Sequence, residues 1–570
     1  MKIARLLVCV IIIVSLHSCK LIGLNVNHDN PRKGNVYPKF TQKDSIRGAL
    51  TSLRSSFDVQ YYDIHIALQP AKKYIQGFVD IEFSVVSATD KIQIDLYENL
   101  TLDSILYENK RIPFTRTYGA VYVSFLDSLQ NGTEHSIRCF YQGKPVKAKK
   151  PPWKGGFVWD KSKDGNPWIG VTCEVDGASL WWPCKDHISD KPDRGVRMNV
   201  TVPRGLQVIS NGVLQSESHT EQTSHYIWQT NYPINTYNVT LYVGAFQHFS
   251  ETFKGKDAEF TLDYYMLPEH IEEAKTVFAQ TSDVLHFYES IYGPYPWPNE
   301  GFKLVGSPYA GMEHQTAIAY GTDFKRQRHF LGFDYIIVHE AAHEWWGNAV
   351  SVDDYAEIFI HEGFATYSEM LYVEKTYGTQ AAKNYMSFYA MLIKNKNPIV
   401  GPRDVNFWNY KDTDPYLKGA WVLHGFRRLL DDDDLFFDII QGFYAESYLS
   451  IVTVADFVAY VNSKTESSYS WYFNQYLYER EVPYLQYAFE QDVQGNVNLY
   501  LVWSRVPEGF EMPVRIFVTI NSVEYPIVLK PSTDIKKFVL HSCQSVSFDS
   551  DYVYYSLKKD TKIIRKINKK

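Results

Sequence analysis

The stretch "YIIVHEAAHEWWGN", Tyr335 to Asn348, sets two histidines four residues apart in an apolar run, with a glutamate directly after the first. Asp334 stands where a helix N-cap belongs, and Ile336, Ile337 and Val338 give an apolar flank, so a helix is predicted. Four residues make about one helical turn, which brings His339 and His343 to one face. Two imidazoles so placed can hold one metal ion. Glu340, turned by about 100° from His339, reaches a water beside such an ion rather than the ion itself. By composition, this HExxH pattern is expected about 0.03 times in a chain of this length.

A hydrolytic zinc site needs a third protein ligand and keeps one position open. Across a gap of eighteen residues from His343, the helical stretch "FIHEGFATYSEMLYVEK" (Phe359–Lys375) offers Glu362. A helix running back antiparallel to the first would bring Glu362 beside His339 and His343. His361 is a rival ligand, although on a helix it points about 100° away from Glu362. Glu369 reads as a carboxylate behind the ligands or as a solvated one.

Working outward, 570 residues exceed one hydrophobic core. Hydrophobic content of 45% and charged content of 22% place the chain among globular proteins, and a net charge of -7 argues against a nucleic-acid binder. Apolar residues alternate in "YYDIHIAL" (Tyr62, Ile64, Ile66, Leu68), in "VDIEFSV" (Val79, Ile81, Phe83, Val85) and in "VRMNVTV" (Val196, Met198, Val200, Val202). This is the pattern of half-buried antiparallel strands. From Pro268 the period becomes helical, with one helix predicted as far as Ile291 before the stop at Gly293-Pro294. Alternation returns at Val497, Leu499, Leu501 and Trp503, and again at Val514, Ile516, Val518 and Ile520. The reading is a multidomain α+β protein. An all-β domain spans 56–248, a mainly helical zinc domain 249–480 and a small β domain 481–560, and a solvated basic tail follows over 561–570.

Lys2 and Arg5 precede an apolar run, Leu6 to Leu16, too short to span a bilayer comfortably. It ends in "LHSC", which resembles a bacterial lipobox with an uncommon residue at His17. Residues 1–18 are therefore expected to be a lipoprotein signal peptide, Cys19 the lipidated residue and 19–55 a tether. The protein would then sit in the bacterial cell envelope, lipid-anchored and facing the periplasm. A plain secretory signal is the alternative. Of six cysteines, Cys139, Cys173, Cys184 and Cys543 remain for the folded part. The count is compatible with one Cys173–Cys184 bridge or with free buried thiols.

"HEAAHEWWGN", the eighteen-residue gap and "HEGFATYSE" together resemble the gluzincin aminopeptidases, the family of aminopeptidase N and the leukotriene epoxide hydrolase. "YAGMEH" (Tyr309–His314) is similar to that family's Gly-Ala-Met-Glu-Asn exopeptidase motif. "TCEVDGASLWWPCKD" (Thr172–Asp186) and "DPYLKGAWVL" (Asp414–Leu423) resemble its amine-binding and catalytic-tyrosine segments. The resemblance covers roughly residues 57–560 and implies a thermolysin-like catalytic domain followed by a C-terminal β-sandwich. It makes His339, His343 and Glu362 the ligands of one zinc ion per chain, and Glu340 the general base. Tyr416 becomes the donor to the oxyanion, and Glu313 and Glu174 the anchors of the substrate amine. Peptides with a free N-terminus are the implied partners, and Tyr309 and Thr172 are expected in the specificity pocket. Two departures stand out. The first lies in the exopeptidase motif, where His314 replaces Asn and Ala310-Gly311 replaces Gly-Ala. The second is the lack of the long helical C-terminal domain found in many members, from which a more open cleft is expected.

The function implied is a zinc metallo-aminopeptidase. A thermolysin-type endopeptidase shares the ligand pattern, and a non-catalytic peptide-binding protein on the same scaffold is a third reading. The filled catalytic positions weigh against the last. Epoxide hydrolysis, the activity of one family branch, is not separated by motif.

Overall fold

The computed structural model describes residues 37–329, 331–407, 412–510 and 512–567. The expected signal peptide, Cys19 and the first part of the tether lie outside the described residues. Among the described residues no helix is long and apolar enough to cross a membrane.

The alternating segments form an eight-stranded sheet. Its central strand, Phe57–Gln69, pairs antiparallel with Tyr74–Val85 and parallel with Val196–Pro203. The register sets Ile64 against Val79 and Met198, and all three side chains are buried. A four-stranded sheet pairs Pro167–Thr172 with Gly156–Lys161 and Leu241–Gly244. Thr172, at the end of its strand, leads into the turn that bears Glu174.

The next body begins with strands rather than helices. Gln247–Lys254, Glu259–Met266, Phe302–Gly306 and Ile318–Tyr320 form a four-stranded sheet beneath the helices. The single helix predicted from Pro268 to Ile291 is a 3₁₀ turn, Pro268–His270, followed by two helices, Ile271–Phe278 and Thr281–Tyr292. Periodicity ran through the break because Phe278 and Val284 both face the core. The HExxH helix spans Tyr335–Ala342, capped by Asp334, whose side chain accepts from the Ile337 N–H at 3.2 Å. The long helix Phe359–Tyr377 packs against it and against Asp414–Leu430. Near the crossing of the last two, Gly363 and Gly419 meet backbone to backbone. A Cβ on Gly419 would lie 2.9 Å from the Gly363 Cα.

Two further sheets, of four and three strands, make the C-terminal sandwich, with the rings of Tyr487 and Phe548 4.9 Å apart between them. One continuous buried core runs from Phe57 to Val553.

Two further expectations change, and of the two readings of the cysteines the free buried thiols hold. Residues 41–55 are not tether. They form two short helices, Gln42–Gly48 and Ser52–Ser55, and the fully buried Arg54 donates to both Asp95 oxygens at 2.8 Å. A buried, paired charge of this kind holds the segment on the β domain. The basic end is not wholly solvated either. Lys562–Ile567 is helical, and Ile563 is buried against Ala488 and Tyr500. Cys139, Cys173, Cys184 and Cys543 are all free and buried.

Candidate active site

His339 projects from the last turn of the HExxH helix and His343 from the residue that caps its C-terminus, and Glu362 meets them from the first turn of the long helix. Their nearest atoms form a small triangle. The two Nε2 atoms are 3.3 Å apart, and Glu362 Oε2 lies 3.4 Å from His339 Nε2 and 3.5 Å from His343 Nε2. A tetrahedral ion with bonds of about 2.0–2.1 Å sets neighbouring ligand atoms about 3.3 Å apart, so the triangle fits zinc.

The opposite ring nitrogens decide the tautomers. His343 Nδ1 donates to the Trp346 carbonyl at 2.9 Å, and His339 Nδ1 is 2.7 Å from Glu369 Oε1. Each ring so oriented turns a bare Nε2 lone pair toward the centre. Glu362 Oε2 is buried with no hydrogen-bond partner among the described residues. Three acceptor atoms with no donor between them call for a cation.

Glu369 is itself fixed. Tyr389 Oη donates to its Oε2 at 2.5 Å, and Tyr385 Oη donates to the same oxygen. His361, the rival ligand, is excluded. It is buried and its Nε2 accepts from the Val352 N–H at 3.2 Å.

Glu340 lies beside the triangle, and burial pushes its carboxyl up to about 8. Ligand atoms of Glu313, Glu340 and His343 lie within 4.8 Å of one another. Gly311 occupies the position of the motif's alanine, and a Cβ there would overlap the Glu340 carboxylate. The Ala310-Gly311 departure thus leaves room for Glu340 in this position. His314 is fully buried, with Nδ1 2.7 Å from Tyr242 Oη and no described residue meeting Nε2. Tyr242 donates onward to the Ala317 carbonyl at 2.8 Å, so Nδ1 carries the proton.

Glu313 and Glu174 face the same cleft from two bodies. Tyr237 Oη donates to Glu313 Oε1 at 3.1 Å. Glu174 Oε1 is buried without a partner among the described residues, while the Glu174 carbonyl accepts from Tyr355 Oη at 2.5 Å. Burial, then the neighbouring Glu313, raises the Glu174 carboxyl well above its usual range. Such a site favours a cation that arrives with its own hydrogen-bond donors. Tyr416 lines the cleft one helical turn before Gly419, with its ring 6.0 Å from that of His339. Burial, then Glu362 and Glu174, holds its hydroxyl protonated and able to donate.

The cleft has a volume of about 660 Å³. Its apolar walls include Pro152, Trp153, Trp168, Tyr309, Met312 and Ile336. Thr172, expected in the pocket, does not line it, and its hydroxyl donates to the Pro152 carbonyl at 3.1 Å. Sequence reading missed Tyr237, Tyr355 and the Tyr385–Tyr389 pair. Among 43 tyrosines none of these stands in a motif that marks it.

Residues 277–476 match the Peptidase family M1 domain, a range that holds His339, His343, Glu362, Glu340, Glu313 and Tyr416 but not Glu174. Human endoplasmic reticulum aminopeptidase 1 is 24% identical over 294 residues, 48% of this chain and 31% of that protein. Leukotriene A-4 hydrolase of Xenopus laevis is 22% identical over 315 residues, 52% of this chain and 50% of that protein. The chain thus spans half or less of the length of these curated relatives. The fold is shared with the M1 zinc metallopeptidase from Deinococcus radiodurans, at a TM-score of 0.64 and 20% identity, over 76% of this chain and 96% of that one. A point mutant of that metallopeptidase, bound to a Tyr-ser-ala substrate, aligns at a TM-score of 0.63 and 20% identity, over 75% and 95%.

Proposed function

We propose that this chain, a member of the M1 peptidase family by its domain at residues 277–476, is a zinc aminopeptidase that removes single residues from the free N-termini of peptides. The observation that carries the proposal is the pairing of the His339–His343–Glu362 triangle with two buried carboxylates, Glu174 and Glu313, in one cleft. When bound, zinc lowers the pKa of a water to about 7 and withdraws charge from the scissile carbonyl. Glu340 takes the proton of the attacking water and passes it to the departing nitrogen. The Tyr416 hydroxyl donates to the oxygen on which negative charge develops. Glu174 and Glu313 receive the terminal ammonium, each charge-assisted hydrogen bond contributing about 1.5–3 kcal/mol.

An internal peptide bond brings no ammonium and leaves both carboxylates unmatched, which disfavours the endopeptidase reading. The Tyr-ser-ala peptide bound by the Deinococcus protein is of the substrate class proposed here. The test is a panel of aminoacyl chromogenic substrates, each with a free and an acetylated amine, before and after chelation. Cleavage of the free forms alone, abolished by chelator and restored by zinc, is expected. Equal rates on blocked and free peptides would sink the aminopeptidase reading and leave the endopeptidase one. Attachment to the envelope through a lipidated Cys19 is part of the proposal and rests on the sequence around "LHSC".

A further inference from the structure

The turn that carries Glu174 is gripped from outside by a segment the zinc chemistry does not use. That turn is closed by the Gly177 N–H donating to the Cys173 carbonyl at 2.6 Å. On its outer side the Arg47 guanidinium donates to the Asp176 carbonyl at 2.7 Å and to Tyr97 Oη at 2.5 Å. Arg47 also lies 4.2 Å over the Tyr97 ring, and Tyr97 Oη donates to the same Asp176 carbonyl at 3.2 Å. The Asp176 carboxylate accepts from the Gly155 N–H at 2.6 Å, which ties in the loop whose Pro152 and Trp153 wall the cleft.

The helix that bears Arg47, Gln42–Gly48, is fastened to both bodies. On the β domain, Gln93 Nε2 donates to the Ile46 carbonyl at 3.1 Å, and His187 Nε2 donates to the Gly48 carbonyl at 3.2 Å. On the catalytic side, Gly48 packs on the backbone of Val405, and the rings of Phe40 and Tyr37 meet Phe407 at 5.3 and 5.9 Å.

We propose that Arg47 is a positioning residue for Glu174, and that the arm of residues 37–48 is a strap that sets the amine-binding turn against the zinc domain. The proposal rests on the reading of Glu174 as an amine anchor. A charged donor on the Asp176 carbonyl restrains a turn whose carboxylate, two residues away, must meet an ammonium within a fraction of an ångström. Loss of the restraint spreads Glu174 over several positions and weakens capture of the amine, while the ligands and Glu340 stay in place.

The test uses the whole zinc-loaded chain with Arg47→Ala and, as a milder cut in the same knot, Tyr97→Phe. Arg47→Ala should raise KM for a free-amine aminoacyl substrate about ten-fold with kcat changed by less than two-fold, and leave zinc content unchanged. Hydrogen exchange at the amides of 174–177 should quicken in Arg47→Ala and, less, in Tyr97→Phe. In a Glu174→Ala background Arg47→Ala should add less than two-fold, because both changes act on one contact. Losses that multiply across that double mutant, or exchange at 174–177 equal to the parent's, would overturn the strap. If Arg47→Ala fails to fold, the exchange rates and KM of Tyr97→Phe decide alone. Failure of the amine reading shows separately, as a Glu174→Ala enzyme with unaltered KM.

Discussion

Gly363 and Gly419 touch where two helices cross, and this contact sets Tyr416 beside Glu362. Gly363 follows the glutamate directly, and Gly419 is one turn beyond the tyrosine. A methyl group on Gly419 would stand 2.9 Å from the Gly363 Cα. Gly419→Ala is expected to separate the helices, destabilise the fold by about 1–3 kcal/mol and lower kcat with zinc retained. Tyr416→Phe should lower kcat with a smaller change in KM and no loss of stability. Comparison of the two by thermal unfolding and steady-state kinetics tests whether the crossing acts through Tyr416. Unchanged kcat in Tyr416→Phe would remove that residue from the mechanism.

The triangle and the base are separable by metal analysis. His343→Ala should lose zinc and activity together, whereas Glu340→Gln should keep zinc and lose turnover, since its amide accepts no proton from water. Glu369→Ala removes the partner of His339 Nδ1 at 2.7 Å and should weaken zinc binding about 10–100-fold. Titration with a competing chelator measures each case. Parent-like zinc affinity in Glu369→Ala would show that the imidazole needs no such support.

The charge of the cleft predicts selectivity. Among the described residues, Asp160, Glu174, Glu313, Asp323, Glu340, Glu362 and Glu369 line it, and no Lys or Arg does. Glu174 and Glu340, whose carboxyls burial pushes up, add least to this field, and zinc and one ammonium offset only part of the rest. Substrates with Lys or Arg first should therefore show kcat/KM at least ten-fold above those with Asp or Glu first, and the gap should narrow as salt is added. A preference for acidic first residues would contradict this field.

His314 predicts a feature of acid unfolding. Burial lowers its pKa from 6.5 to about 3, so the folded ring stays neutral where the unfolded one takes a proton. Its contribution to stability is fully present above pH 6.5 and is lost as pH falls toward about 3. His314→Asn, which cannot titrate, should lose less stability than the parent between about pH 7 and pH 4.5 in urea unfolding. An identical drop in both proteins would mean that the imidazole is charged in the fold.

On the proposal that Cys19 carries lipid, Cys19→Ser should block that modification, and with it processing or membrane retention. Mass spectrometry of the mature N-terminus and fractionation of cells decide. An unmodified mature terminus would refute the anchor.

Strands with one buried face were legible because Ile64, Val79 and Met198 alternate with polar neighbours, and such alternation has no other common cause. The zinc triangle was legible because its two histidines stand one helical turn apart and Glu362 follows them, after a gap of eighteen residues, in the next strongly helical stretch. The break between Phe278 and Thr281 was hidden, since apolar residues kept helical spacing across it. The arm around Arg54 was hidden too. Its composition is that of a linker, and the partners that bury it lie about forty residues away at Asp95 and further at His187. Long-range contacts of this kind leave no periodic trace. The same holds for Tyr237 and Tyr355, which act only through residues brought to them by folding.

The two proposed amine anchors stand on different bodies, Glu174 with the β domain and Glu313 with the zinc domain. On the proposed function, cutting and measuring are therefore divided within one chain. The zinc body holds the blade, but the ruler that counts one residue from the end exists only while both bodies stay clasped. Any change that loosens the clasp should first produce a careless enzyme, blunt in its choice of where to cut, before it produces an inactive one.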